Sequence, residues 1–249
     1  MEGSNEDGVE IYDYENPVAN PTRYADMRER NLIPELLLNV QTLSYRHIIE
    51  KAQRTVEAAI GELESPTMKY LHYSRSQLCE CMYEMFDRLS LISAFRIDSQ
   101  KLKNLIKDVS HHYKRVPYHN FTHAFNIVHM CYFVLRTTKL REYLDDVDVL
   151  AIMIGGLGHD IDHSGLNNTF YIKTNHPIAQ AVNSNSVLEN YHSYMLFKLL
   201  KRPENDVLGN LSQAERERFK KAAVSGILGT DMTKHFSICT SFEKIITKL

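Results

Sequence analysis

The chain has 249 residues, 43% of them hydrophobic and 24% charged, the balance of a globular protein with enough length for a substantial core. Its 29 basic and 31 acidic side chains leave a formal charge of −2, without the basic excess that a nucleic-acid-binding surface requires. Four scattered cysteines with no CxxC spacing, and an N-terminus without an apolar leader, point to reduced thiols and a cytoplasmic setting.

Residues 1–35 are acidic, carry Pro17, Pro21 and Pro34, and hold no sustained period. They read as a flexible lead-in, or as the tail of a linker from an upstream regulatory domain, with the folded part expected over 36–249. From Leu43 to Leu63 apolar residues step by three and four, the period of an amphipathic helix, and Pro66 closes the run. A second such run uses Leu78, Met82, Met85, Phe86, Leu89 and Ile92. A third begins after the N-cap candidate Asp98, passes through Leu102, Leu105, Ile106, Val109 and Tyr113, and is expected to end at Pro117. The next helix is expected from about His119 to Thr138.

Asp146–Gly158 is apolar on every side, the mark of a helix in the middle of a bundle, and it delivers His159-Asp160 from its C-terminal end. Its uncharged part, Val149 to Gly158, is well short of the roughly 20 residues of a membrane span. Two S-x-x-E sequences, Ser186 to Glu189 and Ser212 to Glu215, predict capping boxes opening two further helices, the first stopped near Pro203. The final stretch keeps apolar residues at Ile238, Phe242, Ile245, Ile246 and Leu249. No alternating strand pattern appears, so the expected fold is all-α.

The chemistry concentrates in Tyr118 to Phe170, which opens YHNFTHAFNIVHM and closes GHDIDHSGLNNTF. A four-residue spacing places His119 and His123 on one face of a helix, and His159 and His163 likewise if their backbone is helical. Imidazoles suit zinc, and a carboxylate beside them adds a hard oxygen that bridges to a second ion. An Asp directly after a His, at the end of an apolar helix, is a costly buried charge without a cation to pair with. The cluster therefore reads as an open catalytic metal site.

At these residues the sequence resembles the class I cyclic-nucleotide phosphodiesterases. The pattern HD, aliphatic, any, His, any, Gly, two residues, Asn, any, aromatic is met by His159 to Phe170. Further family-like stretches are Tyr118-His119-Asn120 with His123, Leu188-Glu189-Asn190 with His192, and Thr230 to His235. The resemblance runs from about Phe95 to the last residue. It implies that His123, His159 and Asp160 hold zinc, and that Asp160 bridges to a second divalent ion, magnesium or manganese. It further implies that a hydroxide between the ions attacks a cyclic 3′,5′-phosphate, yielding the nucleoside 5′-monophosphate of cAMP or cGMP. His119 is implied as the general acid that protonates the departing O3′, a role suited to an imidazole. His163, Asn168, Glu189 and Thr230 are implied to orient ligands or metal-bound waters, and Tyr118 and Met232 to line the nucleotide pocket.

Taken alone, several of these have blander readings: Glu189 as a capping-box member, Asn167 and Asn168 as turn residues, and Thr230-Asp231 as a helix start. The family pattern also continues past Leu249, where a further Asp ligand and a purine-gripping Gln are expected. The chain therefore reads as about the first two-thirds of such a domain, with apolar surface expected near Phe242 to Leu249. Smaller departures are Tyr191, where many members have His, and Gly229, where Ala is common. The alternatives are another HD-type phosphohydrolase such as a nucleotidase, or a non-catalytic module binding a nucleotide or a partner.

Overall fold

A computed structural model describes residues 55–247. The lead-in over 1–35 and the start of the first amphipathic run lie outside those residues. Among the described residues every regular element is helical, as expected.

The helices are α1 (Val56–Gly61), α2 (Arg75–Arg88), α3 (Leu91–Ala94), α4 (Ser99–His112), α5 (Phe121–Thr137) and α6 (Asp146–Gly158). They continue as α7 (Asn168–Lys173), α8 (Pro177–Ala181), α9 (Val187–Leu200), α10 (Gln213–Gly229) and α11 (His235–Ile246). The second amphipathic run is two helices, because Ser90 between them sits in the left-handed region at φ 59°. Asp98 caps α4 as expected, its carboxylate accepting from the Gln100 and Lys101 amides. That helix stops at His112, five residues before Pro117, so the proline shapes the following loop and not the helix end.

α6 lies at the centre and packs against α5, α10 and α9. Val149, Leu150, Met153, Ile154 and Leu157 are fully buried, which is the physical sense of a helix apolar all round. Each such side chain removed from water contributes about 1.5–3 kcal/mol to folding. The Ser212 capping box at α10 is present, Ser212 and Glu215 each satisfying the other's backbone amide.

The box predicted at Ser186 is not formed. Ser186 is left-handed (φ 42°) and makes no side-chain cap; its hydroxyl instead donates to the buried Asp231 carboxylate at 2.7 Å. The Leu188 amide at the start of α9 donates to Asn168 Oδ1 at 2.8 Å, so a side chain from α7 does part of the capping. Along α11, Phe236, Ile238, Phe242, Ile245 and Ile246 are exposed. No described helix is long and apolar enough to cross a membrane.

Candidate metal centre

The site forms where two helix ends meet: the start of α5 and the end of α6. Asn120 caps α5, accepting from the Thr122 and His123 amides while its Nδ2 donates to the Val116 carbonyl. The helix therefore begins at Phe121, and the single-face reading of His119 and His123 is corrected. His123 stands in the first turn of α5, whereas His119 lies in the loop ahead of it. The two rings still come together, edge to face, with centroids 5.8 Å apart. The second expected helical pair is corrected in the same way. α6 ends at Gly158, and two tight turns follow, Ile161 N–H to Gly158 O and His163 N–H to Asp160 O. Asp162 then takes φ 63°, a region short polar residues tolerate better than most, so His163 faces the cluster from a turn.

Three donor atoms converge. His123 Nε2 lies 3.2 Å from His159 Nε2 and 3.4 Å from Asp160 Oδ2, and His159 Nε2 lies 3.2 Å from that same oxygen. A tetrahedral ion with bonds of about 2.0–2.1 Å has ligand atoms about 3.3 Å apart, which this triangle matches. The tautomers agree as well. His159 Nδ1 donates to the Gly156 carbonyl at 2.8 Å, so the neutral ring turns an Nε2 lone pair to the cluster and the protonated ring turns an Nε2–H to Asp160. Burial pushes the Asp160 carboxyl up, but hydrogen bonding from His123 and His159 outweighs it and holds the group far below the usual carboxylate range. Burial in turn depresses His159, and its bond to Asp160 reverses the sign to a net rise.

A second group, Asp160, His163 and His192, faces the other Asp160 oxygen. His192 is almost fully buried on α9. Its Nδ1 donates to the Ile161 carbonyl at 2.6 Å, so its Nε2 carries a lone pair. That nitrogen has no hydrogen-bond partner and points at Asp160 Oδ1 from 3.8 Å. Burial lowers the His192 pKa to about 4, so the ring is neutral near pH 7. A buried lone pair aimed at a carboxylate calls for something positive or protic between them. His163 differs: its Nδ1 accepts from the Gly165 amide at 2.9 Å, so the proton of the neutral ring sits on Nε2. Burial, with His119 next, lowers the His163 pKa, which keeps the ring neutral and suited to donating to a water or an anion.

His119 stacks on His163 at 4.0 Å, half-buried at the cluster's edge. Tyr118 is 66% exposed, its ring 4.8 Å from that of His123. Asn168 and Glu189 are joined, Nδ2 donating to Oε2 at 3.0 Å. Burial raises the Glu189 pKa, and the Asp231 and Asp160 carboxylates add to the rise. Among the described residues, no hydrogen bond or ion pair joins Thr230 or Met232 to the cluster. Thr230 caps α10 and donates its hydroxyl to the Ile227 carbonyl, and Met232 is 71% exposed in a short 3-10 turn. They connect through Asp231, whose carboxylate accepts from Ser186 just before α9.

His192 received no role from the sequence beyond its place in a family-like stretch. It had a signal: with Leu188, Leu196 and Leu199 it lies on the line of α9 that faces the core, an unusual place for an imidazole.

Both the sequence and the fold have known relatives. Residues 118–249 match the family model described as 3'5'-cyclic nucleotide phosphodiesterase. The chain is 34% identical over 178 residues to the 3',5'-cyclic-nucleotide phosphodiesterase regA of Dictyostelium discoideum, covering 71% of this chain and 22% of that protein. It is 31% identical over 201 residues to the high affinity cGMP-specific 3',5'-cyclic phosphodiesterase 9A of Drosophila melanogaster, covering 80% of this chain and 13% of that one. Among solved structures, the phosphodiesterase domain of Salpingoeca rosetta rhodopsin phosphodiesterase aligns with a TM-score of 0.72 and 32% identity, over 78% of this chain and 59% of that one. The chain thus spans about a fifth or less of these two curated relatives and under two-thirds of the solved domain.

Proposed function

Because this chain belongs to the 3'5'-cyclic nucleotide phosphodiesterase family, we propose that its histidine–aspartate cluster serves the metal-dependent hydrolysis of a 3',5'-cyclic nucleotide, cAMP or cGMP, to the nucleoside 5'-monophosphate. The observation that carries this reading is the triangle of His123 Nε2, His159 Nε2 and Asp160 Oδ2, with the imidazole of His119 beside it and outside it.

In this reading His123, His159 and Asp160 would hold zinc, and Asp160 would also serve a second divalent ion, magnesium or manganese. Divalent ions bound there lower the pKa of water and screen the phosphate charge. Water would attack phosphorus and release a proton to solvent as the P–O3′ bond breaks, while protonated His119 gives its proton to O3′ and regains one from solvent. A proton donor one loop residue ahead of the α5 cap reaches the leaving group while staying off the metal. His163 donates from Nε2 to a water or a phosphate oxygen. Glu189, held by Asn168, would orient a water of that second ion, and Thr230 would do the same from the end of α10. Tyr118 and Met232 present exposed apolar faces to the base.

The test is hydrolysis of cAMP and cGMP by the full chain with zinc plus magnesium or manganese, with metal content measured alongside. His123→Ala should lose both metal and turnover. His119→Ala should keep its metal and lose about 10²–10⁴-fold in kcat. Phosphate release from 5'-monophosphates without cyclic-nucleotide hydrolysis would replace this reading with a nucleotidase. Nucleotide binding without turnover would replace it with a binding module.

A further inference from the structure

Tyr191, the position where this chain departs from the His common in the family pattern, has a specific engagement in the fold. Its phenol donates to Asp162 Oδ2, and Lys114 Nζ pairs with the other oxygen, Oδ1, at 2.9 Å. Lys114 also donates to the Asp162 backbone carbonyl at 3.3 Å. Asp162 is the left-handed residue between Asp160 and His163, the point at which the turn is held in a conformation its backbone does not favour. One residue further along α9, His192 donates to the carbonyl of Ile161, one residue earlier in the turn. The turn is thus tied to α9 by two adjacent bonds, Tyr191 to Asp162 and His192 to Ile161.

The two cationic and phenolic partners of Asp162 are not equal. Lys114 is 51% exposed and its pairing is weakened by solvent, whereas Tyr191 is half-buried on α9, next to the buried His192.

We propose that Tyr191 is a positioning residue of the metal centre: by clamping Asp162 it fixes the turn carrying Asp160 and His163 against α9, and so sets the gap between Asp160 and His192. This rests on reading the cluster as a two-cation site. The clamp acts on the side of Asp160 that faces His192 and His163, and not on the triangle with His123 and His159. Loss of the phenol should therefore weaken the second ion and spare the first.

The experiment compares the full chain with Tyr191→Phe and Lys114→Met by two readouts. In the metal-free protein, amide hydrogen exchange at Ile161 and His163, whose N–H groups close the turn, should quicken about tenfold in Tyr191→Phe while amides in the middle of α6 do not change. A general loss of stability would move both sets together. In cobalt titrations against a competing chelator, Tyr191→Phe should bind the second equivalent about 10-fold more weakly and the first within about twofold. Lys114→Met should change either readout by less than about twofold. Unchanged exchange in Tyr191→Phe overturns the clamp, as does a larger effect from Lys114→Met. A wild-type chain that binds no cobalt would defeat the metal-centre reading instead, and the exchange comparison would still decide whether the clamp exists.

Discussion

Replacing Gly158 by alanine probes the joint that aims His159. Gly158 is the last residue of α6, and a Cβ built there would stand 2.7 and 2.8 Å from the two Cδ atoms of Leu196 and 3.0 Å from its Cγ. Such distances are far inside van der Waals contact, so one of the two residues must move. Leu196 is on α9 with no exposed surface and no solvent to swing into. Overpacking of a filled core costs about 1–3 kcal/mol. Alanine returns at most about 1 kcal/mol through its better helix propensity, and less at a terminal position. The net expectation is a loss of about 1–2 kcal/mol. With a urea m-value of about 2 kcal/mol/M, the unfolding midpoint should fall by about 0.5–1 M.

Leu196→Ala alone should cost about 2–5 kcal/mol, as for other buried leucines. In the double variant the new methyl enters the space the leucine vacates, so the combined loss should be smaller than the sum of the two. A Gly158→Ala midpoint equal to that of wild type, or strict additivity with Leu196→Ala, would refute the argument that α6 and α9 touch through this glycine. Because His159 follows Gly158 directly, the same variant should also weaken cobalt binding.

Two further expectations follow from buried polar groups away from the centre of the site. His129 is buried, donates Nε2–H to the Leu63 carbonyl at 3.0 Å and stacks on Phe125; burial lowers its pKa, with that carbonyl and Glu64 opposing. The unfolded chain therefore takes up a proton near pH ~6.5 that the folded chain resists. Its contribution to stability is full above that pH and is lost as the pH falls. His129→Gln should flatten the decline of the urea midpoint between pH 7 and 5, and parallel wild-type and variant curves would contradict this. Ser186 combines a left-handed backbone with a bond to buried Asp231. Ser186→Ala should cost about 1–3 kcal/mol for the lost bond. Ser186→Gly should be milder, by up to about 1 kcal/mol, because glycine accepts φ 42° freely; equal losses in denaturant would count against that strain.

The helices were legible because each one buries a stripe, and stripes show in the sequence. The central position of Asp146–Gly158 follows from its lack of a polar face, and Asp98 and Ser212 cap as their side chains suggest. Reading failed where a side chain had a better partner elsewhere in the fold. Ser186 and Glu189 have capping-box spacing, yet the buried Asp231 takes the hydroxyl and Asn168 engages both Glu189 and the Leu188 amide. Each of those partners is about 20 or more residues away in the chain, beyond the reach of any local rule. The i to i+4 argument for the histidine pairs failed for a related reason. It assumed continuous helix through residues that the fold uses as a loop before α5 and a turn after α6.

That placement at helix ends is itself an electrostatic argument about what the cluster holds. The C-terminal end of α6 directs its last carbonyls, and with them the negative end of its dipole, toward His159 and Asp160. An aspartate there is disfavoured by the helix and by its own burial, yet it is held ionised by His123 and His159. His192, neutral and buried, adds a lone pair with no partner, and Glu189 contributes a carboxyl whose pKa is raised in part by the neighbouring charges. Every one of these groups is electron-rich, and protons on the two histidines answer only one face of Asp160. On the other face, Asp160 Oδ1 and His192 Nε2 stand 3.8 Å apart. A single proton shared in the His123–His159–Asp160 triangle cannot serve that second face. Under the proposed function, cations on the two sides of the carboxylate would answer both faces at once. In that reading the centre turns on Asp160, whose two oxygens face the two groups of histidines.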